Sequence, residues 1–444
     1  MSPTLPNPAL SRRALLRSAM AVGIGATMAP ILASCGTANR EAAAQAGPTD
    51  LAPNDPRTAR YPIIDSFYTL DNDYFQGWAK GSAAAAAMFL MPRDQQVDNS
   101  NVDTLKSVFE SAPTKGIRGI STLPNTAAAT PEIIGSAQRN KIYVSSNWSN
   151  APWSTPFDIG DYFYSYQAAN DVAGARAVCN VLFEAMGGSG KFIHIEGIRG
   201  NSASDNRTAG VDQALADHPG VQMVARQAGE FSRGGTQPVI ESLLTANPDV
   251  TGIMCQNDDS AIAAVNAVES RGMTNVKIVG IDAIGEFLDA MKRGSALASW
   301  AHHGAWIGAY STVRVFDALA GVKLSAPERM MYFGGFIVDT PEAAQAYQDL
   351  MYSDKSLPFD YERMSRALHP NDWDPQNSMR PIDPSTYWPR DPKPAGYTLQ
   401  AIYTDPGWAA QVEQVTEQYK QAFRSDPFAP VRQKCQSGGS DVFA

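Results

Sequence analysis

Hydrophobic and polar positions alternate in two rhythms along most of this chain. From Tyr61 short apolar runs predict strands: "YPIIDSFYT", "AMFLMP", "GIRGISTLP" and "KIYVSSN". Between them lie segments with helical spacing: "FQGWAKGSAAAAA", "NSNVDTLKSVFESA" and "TPEIIGSAQRN". A break follows near residues 160–170. A second series then runs "VAGARAVCNVLFEAM" (helix), "KFIHIEG" (strand), "DNRTAGVDQALADH" (helix), "VQMVARQAG" (strand), "TQPVIESLLTAN" (helix), "VTGIMCQN" (strand), "DSAIAAVNAVESRG" (helix) and "VKIVGID" (strand). Strands alternating with helices at this spacing predict parallel sheets covered on both faces. Two such series in succession predict two lobes of similar build. Beyond about residue 340 the rhythm fails, although "GWAAQVEQVTEQYKQAF" reads as one clear helix.

The N-terminus reads differently. Paired arginines in "SRRALLR" precede the short apolar run "AMAVGIGATMAPILA" and then "LASC", which reads as a twin-arginine export signal ending in a lipobox. The run is shorter than the ~20 residues a spanning helix needs. Cys35 is therefore the expected lipid attachment point, and residues 36–60, rich in Ala, Pro, Asn and Asp, read as a tether. The other cysteines, Cys179, Cys255 and Cys435, have no spacing that makes a disulfide framework or a metal site.

Composition narrows the partners. With 44% hydrophobic and 18% charged residues the chain is globular. Its net charge is −9 even with the arginines of the signal included, which argues against a nucleic-acid partner. "MGGSGKF" lacks the first glycine and the hydroxyl residue of a phosphate loop and precedes a strand, so it reads as a helix-to-strand turn. "HH" at 302–303 has no companion ligands at metal-site spacing. No nucleophile elbow appears.

The informative stretch is "GIMCQNDDSAIAAVNAVESRG". Polar residues cluster where a buried strand hands over to a helix. Capping by Asp258, Asp259 or Ser260 is one explanation. A ligand site is the other, because open α/β sheets bind ligands at the carboxyl ends of their strands. Arg207 and Asp282 occupy comparable strand-end positions, so Arg207, Asn257 and Asp282 are expected to converge on one crevice. Asn donates and accepts, Arg donates in a fork and ionised Asp accepts only; that mixture suits neighbouring hydroxyl groups.

Taken in order, "FYTLDNDYFQGWAKGSAAAA", "GIRGNSASDNRTAGVDQAL", "CQNDDSAIAAVNAVESRG" and "VGIDAIGEFLDAMKRGSALAS" resemble the type I periplasmic binding proteins, in the ribose-binding-like branch that serves sugar ABC importers. The resemblance runs from about Tyr61 to Asp339. It implies an α/β fold of two Rossmann-like lobes with parallel sheets, joined by a three-stranded hinge, with a ligand held between the lobes and no catalysis or cofactor. The expected lobes are 61–167 with 303–335, and 168–302 with 336–345; residues 346–444 form a C-terminal extension packed on a lobe. Carried over by position, the resemblance implies ligand contacts from Asn72, Tyr74, Phe75, Asn147, Trp148, Arg207, Phe231, Asn257, Asp282 and His302. Asn147 and Trp148 stand where the family often has an Asp–Arg pair, and His302 where a glutamine is usual. The implied ligand is a pentose, a hexose or a polyol, its apolar faces clamped by aromatic rings. The implied partners are a membrane permease and its ATPase, with the monomer anchored outside the cytoplasmic membrane by Cys35. A binding protein serving a membrane sensor and a secreted sugar-modifying enzyme are the alternatives. The export signal excludes a transcription regulator.

Overall fold

Both rhythms of the sequence become sheets in the computed structural model, which describes residues 48–353, 355–390 and 393–443. The predicted signal and Cys35 lie outside those residues. In chain order the strands are β1 (Ile63–Phe67), β2 (Arg93–Val97), β3 (Gly119–Leu123), β4 (Tyr143–Asn147), β5 (Phe163–Ala169), β6 (Gly190–Glu196) and β7 (Val221–Ala228). They continue as β8 (Gly252–Cys255), β9 (Lys277–Ile281), β10 (Ala298–Ala301), β11 (Met330–Phe333), β12 (Phe336–Val338) and β13 (Met379–Pro381). One sheet has the order β13-β11-β5-β4-β3-β1-β2 and the other β12-β10-β9-β8-β6-β7. Neighbours are parallel except at the β11–β13 and β10–β12 pairs. Each sheet forms the centre of one lobe, and the fold is the expected two-lobed α/β class.

Two strand expectations are corrected. "AMFLMP" is not a strand. Ala87 and Met88 finish a helix, Phe89 and Met91 are buried in the turn, and the strand is the polar "RDQQV" that follows. That segment lies at the sheet edge with every residue half-buried, so it carries no apolar run to betray it. The break near 160–170 holds β5, seven buried residues paired on both sides by β4 and β11. Its sequence, "FYSYQAA", mixes aromatic with small or polar residues, and the polar ones are buried too.

They are buried because the first lobe has a hydroxyl row in its core. Asp65, Ser121, Ser145 and Ser165 occupy one register across β1, β3, β4 and β5. Ser311 Oγ lies 3.0 Å from the hydroxyls of both Ser121 and Ser145, which ties the helix Gly304–Leu319 to this sheet. The run of small residues in the helix Asp73–Met88 lets it cross Gly304–Leu319 closely: a Cβ at Gly81 would lie 1.9 Å from the Ala305 carbonyl oxygen.

The chain passes between the sheets four times: at Asn170 after β5, at residues 302–303 after β10, at Gly334 and Gly335 between β11 and β12, and through the segment that leads from β12 back to β13. Residues beyond 346 do not rest on one lobe alone. β13 extends the first sheet, and Tyr419 in the helix Trp408–Ala422 bonds the buried Arg314 and Glu328. Farther on, Thr340 Oγ1 bonds the Lys434 carbonyl at 2.7 Å and Arg432 covers the Phe336 ring at 4.4 Å, both beside β12 of the second sheet.

Candidate functional site

Asparagine is the residue that starts helices at the strand ends here. Asn72, Asn101, Asn170, Asn201 and Asn257 each accept a hydrogen bond from a first-turn N–H of the helix that follows. This corrects the capping expectation: Asn257 Oδ1 takes the Ser260 N–H at 3.1 Å, so the cap is Asn257 and not the residues after it. Asp258 is buried and accepts from Ile284 N at 3.0 Å and from Ser299 Oγ at 2.9 Å, tying its helix to the ends of β9 and β10. Asp259 pairs with Arg233 at the rim.

A single cavity lies at the carboxyl ends of both sheets. It is lined by Tyr68, Tyr74, Phe75, Leu123 and Trp148 from the first lobe and by Asn201, Ala203, Arg207, Phe231, Asn257 and Asp282 from the second, with His302 from a crossing. It offers about 40 Å3 to the centres of water-sized molecules. One water needs roughly 10–15 Å3 on that measure, so a few waters or one small molecule fits.

The cleft is closed over this space. Asn201 Nδ2 donates to the Asn125 carbonyl at 2.8 Å and to Ser149 Oγ at 2.9 Å, and Ser202 Oγ donates to the Asn150 carbonyl at 3.2 Å. All three bonds join one lobe to the other.

Arg207 organises the polar wall. It is buried, and its guanidinium reaches Asp171 Oδ1 at 2.7 Å, the Gln256 carbonyl at 2.6 Å and His302 Nε2 at 3.2 Å. Its ring-facing side lies 5.6 Å from the centre of Phe231. His302 Nε2 is also 3.1 Å from Asp282 Oδ1, and its Nδ1 is 3.1 Å from the Tyr74 hydroxyl. Burial, reinforced by Arg207, pushes His302 down to about 3, so the imidazole is neutral near pH 7. Burial pushes Asp282 up to about 8, with Arg207 opposing and Asp259 adding to the rise. The His302–Asp282 contact is therefore a hydrogen bond, not an ion pair. For Asp282, expected as an ionised acceptor, burial in the closed cleft favours the protonated carboxyl, which donates as well as accepts.

Backbone strain gathers at the same place. Trp148, Phe231 and Asp282 have φ of +54°, +52° and +120°. Such conformations cost on the order of 1–3 kcal/mol each and persist where the surrounding structure enforces them, as at ligand sites.

Two expected ligand residues stand elsewhere. Asn72 caps its helix through Phe75 N at 3.0 Å, and its amide reaches the rim carboxylate of Asp259. Asn147 is buried behind the wall, donating to Ser311 Oγ at 3.0 Å and to the Thr122 carbonyl at 3.3 Å; it belongs to the hydroxyl row. Of the rings expected to clamp the ligand, Tyr74 and Trp148 meet edge to face at 65°, with centroids 5.9 Å apart. Tyr68, Leu123, Asn201 and Ala203 were not expected to line the cavity. The strand-end rule reaches the first two, since Tyr68 directly follows β1 and Leu123 ends β3. Asp171 was also missed as the partner of Arg207. Among the described residues no group of three or more His, Cys, Asp or Glu could hold a metal ion.

Known proteins are similar to this chain. A xylitol-binding protein of Mycolicibacterium smegmatis is 28% identical over 207 residues, which are 46% of this chain and 57% of that protein. A ribose import binding protein of Haemophilus influenzae is 28% identical over 279 residues, 62% of this chain and 91% of that one. The chain thus spans little more than half the length of the first of these relatives. A crystal structure of a twin-arginine translocation pathway signal protein from Burkholderia phytofirmans superposes with a TM-score of 0.63 at 23% identity, covering 67% of this chain and 94% of that one, and shares the fold. The periplasmic binding protein domain profile matches residues 65–323, more than half of the chain, and the protein belongs to that family of extracytoplasmic solute-binding proteins.

Proposed function

We propose that this protein is the substrate-binding component of an ABC importer and holds one small sugar or polyol between its lobes. The observation that carries the reading is the division of the cavity. The carboxyl end of one sheet and the helix after its first strand present aromatic rings suited to C–H faces, and the carboxyl end of the other, with the helix after β6, presents Arg207, Asn257 and Asp282 for hydroxyl groups. The names of the relatives, a xylitol-binding and a ribose import binding protein, support a ligand of that class. Asn72 and Asn147 are left out of the proposed contact set, which gains Tyr68 and Asn201. A permease and its ATPase are the proposed partners of the closed form.

The finer location rests on Arg12, Arg13 and Cys35: a twin-arginine signal delivers a monomeric lipoprotein to the periplasm or cell surface. No helix among the described residues is long and apolar enough to cross a membrane. Replacement Cys35→Ser is expected to move the protein from the membrane to the soluble fraction; a wild type already soluble after export overturns the anchor.

A thermal-shift panel of xylitol, D-ribose, D-allose, myo-inositol and glycerol tests the ligand. A ligand present at 100 times its Kd adds roughly 2.7 kcal/mol to stability. At least one member is expected to raise the melting temperature; no response from any pentose, hexose or polyol overturns the reading.

A further inference from the structure

The first three crossings between the lobes are held by the part of the chain that follows the fourth. At the first, Asn170 Nδ2 donates to the Phe443 carbonyl. At the second, the His303 ring stacks on Phe428, with centroids 3.6 Å apart and planes 13° from parallel. His303 itself is held at φ +59°. At the third, Gly334 N donates to the Ser378 carbonyl at 2.8 Å, Asn377 Nδ2 to the Gly334 carbonyl at 3.2 Å, and Val442 N to the Gly335 carbonyl at 2.8 Å. Asp441 ties these strands of contact together, accepting from the Ser378 hydroxyl and, at 2.7 Å, from Arg432.

The holding segment is itself fixed to both lobes. On the first, Asp317 accepts from Ser365 Oγ at 2.6 Å and Trp306 Nε1 donates to the Pro375 carbonyl at 2.8 Å. On the second, Asp339 accepts from the N–H groups of Gln436 and Ser437 at 2.7 and 2.9 Å.

Domain closure concentrates backbone rotation in a few residues at such crossings. The peptide planes on either side of Gly334 are each bonded to a third body, one through the Gly334 N–H and one through its carbonyl, so rotation about Gly334 must break those bonds. We propose that segments 359–378 and 408–443 form a strap that favours the closed form and so sets the affinity for ligand. The strap's contacts are made with the cleft closed, and opening must break or remake those at Gly334, Gly335 and His303. Through His303 the strap also positions His302, which lines the cavity. The inference rests on the proposed ligand-binding role only for its affinity readout.

The test uses the full chain with Asp441→Ala and Val442→Pro together; the proline deletes the N–H that bonds Gly335. Both positions are partly exposed, and Val442→Pro alone is the milder second variant. Small-angle X-ray scattering without ligand is expected to give a compact wild type and variants with a larger radius of gyration, while circular dichroism remains native. Saturating D-ribose or xylitol, whichever binds the wild type, should restore the compact profile. Its Kd should rise about tenfold, as when the competent population falls from nearly all to a tenth. Folded variants that scatter like the wild type overturn the strap, as does a wild type already open without ligand. If neither sugar binds the wild type, the panel member that does takes its place; if none binds, the ligand reading fails, while the scattering comparison still decides the strap.

Discussion

The two walls of the cavity are built by opposite means. The first lobe contributes rings, Tyr68, Tyr74, Phe75 and Trp148, that meet edge to face and pack on one another. The second contributes hydrogen-bonding groups already fixed by internal partners: Arg207 by Asp171 and the Gln256 carbonyl, and Asn257 by Ser260 N and the Phe231 carbonyl. An apolar wall is positioned by packing and a polar wall by bonding, so a loss on each side should show different signatures. Rings removed cost contact area; a bonded charge removed leaves its partner buried alone.

The largest effect is therefore expected on the polar wall. Arg207→Ala strands the buried Asp171 and should cost about 3–5 kcal/mol of stability, with ligand binding lost. Arg207→Lys should not rescue it, because one ammonium cannot hold Asp171, the Gln256 carbonyl and His302 at once. Denaturant melts and titration calorimetry measure both; a neutral result would mean that the polar wall is not held through Arg207.

On the ring wall, Trp148→Ala should weaken ligand binding by roughly 1–3 kcal/mol. Stability should fall too, since the indole packs on Trp78 and Phe333. Unchanged affinity would remove the first lobe's wall from the site.

Asp282→Asn sharpens the comparison by charge alone. With its folded value near 8 against the usual 3.8, Asp282 keeps its proton where the unfolded chain has lost it. The unfolded state then binds fewer protons between about pH 4 and 8, so wild-type stability falls as pH rises through that window. The variant should lack that component, so denaturant melts should show its stability changing less than the wild type's between pH 4 and 8. Affinity at pH 6 should drop less than tenfold, because a protonated carboxyl and an amide both donate and accept. A loss of 10- to 100-fold at pH 6 would restore the ionised acceptor.

The smallest effect on ligand is expected from Asn147→Ala. It sits behind the ring wall, so affinity should hold while stability drops by about 1–2 kcal/mol from two lost buried bonds. Weakened binding at unchanged stability would put Asn147 back among the ligand residues.

Much of the site was legible because it follows one rule. Parallel sheets bind at their carboxyl ends, and Tyr74, Phe75, Trp148, Arg207, Phe231, Asn257, Asp282 and His302 all lie at a strand end, at a crossing or in the first two turns of the helix that follows a strand, and all line the cavity. Asn72 and Asn147 obey the same rule and do not. One was taken by a helix N-terminus, the other by the hydroxyl row, and both competitors are satisfied by the same amide chemistry that suits a sugar. The edge strand β2 and the core strand β5 escaped because apolar periodicity reports burial of side chains: β2 is half-exposed, and β5 buries polar groups that its neighbours bond.

The sequence alone determined the strand–helix alternation, the strand ends and the types of group available there, because these depend on neighbours a few residues apart. Tertiary structure alone decided which groups meet. Asp171 and Arg207 are 36 positions apart and bond because two helices of one lobe pack together. Asp282 gains its proton because a closed cleft removes water from it. Segments 359–378 and 408–443 acquire their place across the crossings because buried contacts with Asp317 and Arg314 on one lobe and exposed hydrogen bonds to Asp339 on the other pin them there. No short-range pattern encodes such pairings, since each depends on surfaces that exist only after both lobes have folded.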